Sequence, residues 1–163
     1  MHYLVSIVVD LIEISAILAA AGVLVGVVYY VLDIRSQNKV RQTELILQLY
    51  SFYNSETCQK ALTRVLTLDY ADYNDFANKY GAILSPSPNE VQVSVQMVAT
   101  FFEGVGVLLS QRLLDIRLVQ KLFDVKGYWK KIEPLAIELR RTLKDPRQKE
   151  WFEYLYNEIC KIE

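Results

Sequence analysis

The groups in this chain that could carry chemistry are few and scattered. His2 is the single histidine of 163 residues, which leaves the rest of the chain without the usual imidazole base or metal ligand. Cys58 and Cys160 lie about a hundred residues apart and match no zinc spacing. The pairs Asp72/Asp75 and Glu150/Glu153 sit at helical spacing, where two acids normally form a solvated face. No P-loop, GxGxxG, GxSxG or HExxH pattern occurs; Gly104-Val105-Gly106 lacks a third glycine and a preceding strand, and reads as tight helix packing. No catalytic residue, cofactor site or metal site is therefore expected, and the chain is not read as an enzyme. Glu103 is the acid to watch. It stands in the most apolar helical pattern of the chain, beside Phe101 and Phe102, and a carboxylate buried there needs a cation or a backbone amide as partner.

The elements that would position these groups are helical, and one of them dominates. Ile14 to Leu32 is a run of nineteen residues without formal charge, long enough as a helix to cross about 30 Å of hydrocarbon. It reads as a transmembrane helix. A cleaved signal peptide is disfavoured, because the preceding segment carries Asp10 and Glu13 and no Lys or Arg, and the apolar run continues well past Ala21. Arg35, Lys39 and Arg41 follow the run directly, which by the positive-inside rule sets the N-terminus outside and the remainder in the cytoplasm, with these three at the inner leaflet. Ser15, Ala19, Gly22 and Gly26 recur at intervals of four, three and four, a face of small residues suited to contact with another membrane helix or a second copy of the chain. Both cysteines then fall in a reducing compartment, as buried free thiols.

Beyond the run, the pattern is that of an all-α bundle. Residues 33–53 continue as a stalk helix, with Leu45, Leu49 and Phe52 recurring at helical spacing. Ser55, Asp72, Asn89, Asp115 and Asp124 are candidate N-caps, the helix after Ser55 is expected to turn Ala61, Leu62, Val65 and Leu66 inward, and Asp145-Pro146 is expected to open the last helix, with Trp151, Leu155 and Ile159 inward. The helix from Val91 to Leu109, apolar on most faces from Val93 onwards, is expected at the centre of the bundle, although a second membrane span has nearly the same signature. Arg112 to Lys131 holds six bases and two acids and reads as a solvated or lipid-facing surface.

The domain organisation is thus a short extracytoplasmic segment, 1–13, a membrane helix, 14–32, and a cytoplasmic bundle, 33–163. The net charge of -1 and pI near 5.9 give no electrostatic case for nucleic acid. At Phe101-Phe102-Glu103 with Gly106, Leu108-Leu109, Leu113-Leu114-Asp115 and Leu118 to Phe123, together with Leu45 to Tyr50, Ala61 to Leu66, Trp129 and Pro134, the chain resembles a family of small prokaryotic membrane proteins catalogued as a domain of unknown function. That resemblance implies one N-terminal membrane helix running into a helical cytoplasmic domain, and implies no activity. The expected function is a cell-membrane interaction or signalling module whose partners are lipid, a second copy or another membrane helix, and a cytoplasmic protein. The competing expectation is a small oligomeric pore or membrane-perturbing effector, with Asp10 and Glu13 as an outer acidic ring.

Overall fold

The computed structural model describes residues 2–162, with side chains from residue 22 onward. Among these residues all regular structure is helical: α1 (His2–Tyr53), α2 (Glu56–Thr67), α3 (Tyr73–Tyr80), α4 (Glu90–Ser110), α5 (Ile116–Leu122), α6 (Val125–Leu143) and α7 (Glu150–Lys161). The chain divides into two compact units, Met1–Thr43 and Glu44–Glu163. The single helix α1 contributes to both.

In the first unit residues 22–32 of α1 are apolar all round and uncovered. Nine apolar side chains from Val23 to Leu32 are each 42–73% exposed. Five valines and two glycines stand among the eleven residues from Gly22 to Leu32, a composition that weakly favours helix in water. The expected span falls partly outside the described residues: the side chains of His2, Asp10, Glu13, Ser15 and Ala19 are not among them. Among the described residues the helix long and apolar enough to cross a membrane is α4 and not α1, and half of its apolar window is buried. The expectation of a membrane helix at the N-terminus is therefore without support from this criterion.

α4 is apolar because it is surrounded. It packs against α2, α6 and α7, while α6 also touches α2, α3 and α7, and α5 leans on α7. Val98, Phe102 and Val105 of α4 are fully buried with Val65 of α2, Phe76 of α3 and Phe152 of α7. Each such side chain removed from water contributes about 1.5–3 kcal/mol before entropy is counted. The rings of Phe102 and Phe152 stack at 4.9 Å, and Trp129 of α6 meets Phe152 edge-on at 5.0 Å. The last turns of α1 join this core through buried Ile46, with Leu45, Leu49 and Tyr53 half-buried, and half-exposed Phe52 stacks on Phe101 at 5.7 Å.

Local chemistry sets most helix ends. Ser55, Asp72, Asp115 and Asp124 each accept a backbone N–H of the first turn that follows, and Asn89 forms a reciprocal capping box with Gln92. Gly81 ends α3 at φ +88°, a conformation that favours glycine. α6 continues through Pro134 to a left-handed Lys144. The Tyr70 hydroxyl donates to the Lys131 carbonyl, and Lys131 Nζ returns a 2.6 Å bond to the Leu68 carbonyl, stitching the segment before α3 to α6.

Four expectations need correction. α7 opens at Glu150 and not at Asp145-Pro146, because Asp145 spends its carboxylate on a turn. Its Oδ1 accepts the Arg147 N–H at 3.0 Å and its Oδ2 the Gln148 side chain at 2.9 Å, after which Lys149 adopts a left-handed conformation, φ 57°, that breaks the register. The shifted start turns Phe152 into the core in place of Trp151, which is half-buried. Leu66 faces solvent at 41% exposure, its inward place on α2 taken by Cys58, Leu62 and Val65. Cys160 is exposed, while Cys58 is fully buried.

Candidate functional site

On α1, Gly22 and Gly26 lie one turn apart with open space around both: nothing comes within 4 Å of the position a Cβ would take. Arg35 and Lys39 are exposed and also one turn apart. Arg41, two residues past Lys39 and so about 200° around the helix, is exposed on another side. The basic trio is thus a collar and not a single patch.

Glu103 has the partner its setting demands. Its Oε2 accepts the Phe152 N–H at 2.9 Å and its Oε1 the Trp151 N–H at 3.4 Å, so the carboxylate of α4 closes the N-terminus of α7. Lys149, at the position before α7, provides no side-chain cap of its own. A carboxylate there satisfies amides that helix geometry leaves unpaired and complements the positive end of the helix dipole. Gly106, almost one turn on, makes this approach possible, since a Cβ on it would lie 2.0 Å from the Trp151 carbonyl oxygen. From α6, Arg140 fastens the same turn: its Nε donates to the Gln148 carbonyl at 2.8 Å and its guanidinium pairs with Glu153 at 2.6 Å. Glu103 is thereby committed to structure.

Beside this junction lies a groove of about 640 Å³, walled by the first half of α4, the Ile83–Pro88 segment, the end of α6 and residues 148 and 149. Val93 and Met97 stand one turn apart on α4, and Leu139 and Leu143 one turn apart on α6, making two apolar ridges, and Leu84 also lines the groove. Sequence reasoning did not assemble it. Its walls come from four separate stretches, and its one charged lining residue, Lys149, belongs to a turn that the Asp145-Pro146 signal disguises as helix.

A second polar cluster is internal. The Tyr53 and Tyr128 hydroxyls share a hydrogen bond, the Asp124 backbone N–H also donates to Tyr53, and the Cys58 thiol lies nearby. Burial pushes all three groups to a higher pKa, so they remain protonated and neutral at physiological pH. This is a satisfied core network joining α1, α2 and α6. Among the described residues no group of three or more His, Cys, Asp or Glu side chains converges to hold a metal ion.

No curated protein and no solved structure matches the chain. A family signature does: residues 16–159, from within the N-terminal apolar run almost to the end of α7, match Domain of unknown function (DUF4760), and the chain belongs to that family.

Proposed function

We propose that this protein is a membrane-anchored helical module for interaction or signalling. Residues 14–32 of α1 cross the bilayer with the N-terminus outside, Arg35, Lys39 and Arg41 meet the inner headgroups, and the bundle engages a cytoplasmic protein. Copies associate through the face of Ser15, Ala19, Gly22 and Gly26. The observation that carries this reading is the uncovered apolar surface of Val23 to Leu32 on every side of a helix rich in valine and glycine. In water that surface is unfavourable and the helix weakly encoded; in hydrocarbon the surface is solvated, and helix is the form that satisfies every backbone amide.

The two cysteines supply the test. Cys58 is fully buried and Cys160 exposed, so Cys160 reports on the bundle alone. In intact cells it should resist a membrane-impermeant maleimide and react once the membrane is opened, while the chain stays with carbonate-washed membranes. Labelling before permeabilisation would reverse the orientation, and release by carbonate would remove the anchor. Differently tagged copies should co-purify in mild detergent, and Gly22→Leu/Gly26→Leu should separate them.

A further inference from the structure

We propose that the groove between α4 and α6 binds a medium-chain fatty acid, its tail along the Val93/Met97 and Leu139/Leu143 ridges and its carboxylate on the Lys149 ammonium. The inference stands on the groove alone and does not depend on the membrane reading of α1.

Most polar side chains of the lining are already engaged. Both ends of the Gln92 amide are taken, Nε2 donating to the Ala82 carbonyl at 2.6 Å and Oε1 accepting the Asn89 N–H at 2.7 Å. Gln96 donates to the Thr100 hydroxyl at 3.1 Å, Ser85 to the Ser87 carbonyl at 3.2 Å, and the Gln148 side chain to Asp145. Lys149 differs. No hydrogen bond or ion pair among the described residues engages its ammonium. Glu103 attracts it electrostatically, but the oxygens of that acid already accept the Trp151 and Phe152 amides. Burial holds the Lys149 pKa below the ordinary lysine value, a cost that an arriving anion would offset.

The groove therefore offers one charged group free of hydrogen bonds, the Lys149 ammonium, in a wall whose Leu84, Val93 and Leu143 remain 46–48% exposed. Its volume of about 640 Å³ lies within the range usual for small-molecule sites. A lone ammonium is a point charge matched to a monoanion, whereas phosphate groups are held by several donors, an arginine fork or a helix N-terminus. The neighbouring helix N-terminus, that of α7, is already closed by Glu103. Ridges of side chains one turn apart suit a polymethylene tail better than a compact ring.

The test uses the full chain, in nanodiscs of zwitterionic lipid or, where it does not insert, in buffer, and a dodecanoate probe with a photoreactive group near the tail end, followed by peptide mapping. Label is expected on the segments holding Val93–Met97 and Leu139–Leu143. Unlabelled dodecanoate should displace it, and dodecanol should need about tenfold more, the effect of one charge-assisted hydrogen bond. Lys149→Gln and Lys149→Asn, the latter suited to the left-handed backbone, should each cut labelling about tenfold at sub-saturating probe, with Lys130→Gln unchanged. Equal displacement by dodecanol, undiminished labelling of a folded Lys149 variant, or label confined to Val23–Leu32 would overturn the proposal. So would a co-purifying polypeptide that shields the groove. Should both Lys149 variants fail to fold, the comparison of acid with alcohol on the unaltered chain decides by itself.

Discussion

Replacing Gly106 by alanine is the sharpest test of how α4 and α7 meet. The new Cβ would lie 2.0 Å from the Trp151 carbonyl oxygen and 2.6 Å from its carbon, and ordinary contact begins at 3.4 Å, so the helices must part by about 1.4 Å. The obstacle is backbone, which cannot swing aside. Parting also carries the Glu103 carboxylate away from amides it holds at 2.9 and 3.4 Å, out of hydrogen-bond range. Overpacking costs about 1–3 kcal/mol and the lost cap about 1 kcal/mol, against a gain of about 1 kcal/mol in helix propensity. A net loss of about 1–3 kcal/mol should lower the Tm by about 4–12 °C. Gly104→Ala is the control within the same helix, because nothing lies within 4 Å of its Cβ position. It should be neutral or stabilising by up to about 1 kcal/mol. The assay is thermal and urea unfolding in one detergent, followed by the fluorescence of Trp129 and Trp151. Equal stabilities of the two variants, within about 0.5 kcal/mol, would refute the close crossing.

Other outcomes follow from single groups. Glu103→Ala should cost about 1–2 kcal/mol, and Glu103→Gln less, with faster hydrogen exchange at Trp151 and Phe152; unchanged exchange at those amides would contradict the cap. A thiol reagent should find one fast site in the native chain, Cys160, and Cys58 only in denaturant, since burial both hides that thiol and raises its pKa; two fast sites would show the α2 core to be open. Burial also raises the pKa of the Tyr53, Tyr70 and Tyr128 hydroxyls above the ordinary value of 10.0. The folded chain thus keeps protons that the unfolded chain releases, so this contribution to stability is complete below about pH 10 and falls as pH rises beyond it. Urea midpoints on either side of that pH should show the fall, and Tyr128→Phe should lessen it; a flat profile would count against the buried network.

The helices could be read from the sequence where their signals are local. Ser55, Asp72, Asn89, Asp115 and Asp124 each cap a helix from one residue before it, and the apolar period of α4 and α6 names buried residues such as Val98, Phe102, Trp129 and Ile132. The start of α7 was not legible for the opposite reason. Its cap comes from Glu103, 48 residues away in sequence, while the local Asp145-Pro146 signal is consumed by a turn. A start at Asp145 puts Trp151 inward, where the fold buries Phe152. The groove was hidden more thoroughly, since Val93, Leu143 and Leu84 each look like ordinary members of a helix or loop until packing leaves them exposed along one trough. An unpaired lysine has no sequence signature at all.

The cap that α4 lends to α7 has a kinetic side. α7 is twelve residues long, near the limit below which an isolated helix is marginal in water, and its Trp151 and Phe152 amides lack the Glu103 acceptor until α4 is in place. Ordering α7 and docking it are therefore one event, which closes a loop of 48 residues before its hydrogen bonds form. On the ribosome α4 emerges first and waits with Phe102 and Val105 uncovered. The core of this bundle is sealed by α7, which is made after α4, and until then its most apolar face is open to chaperones and to other copies of the chain.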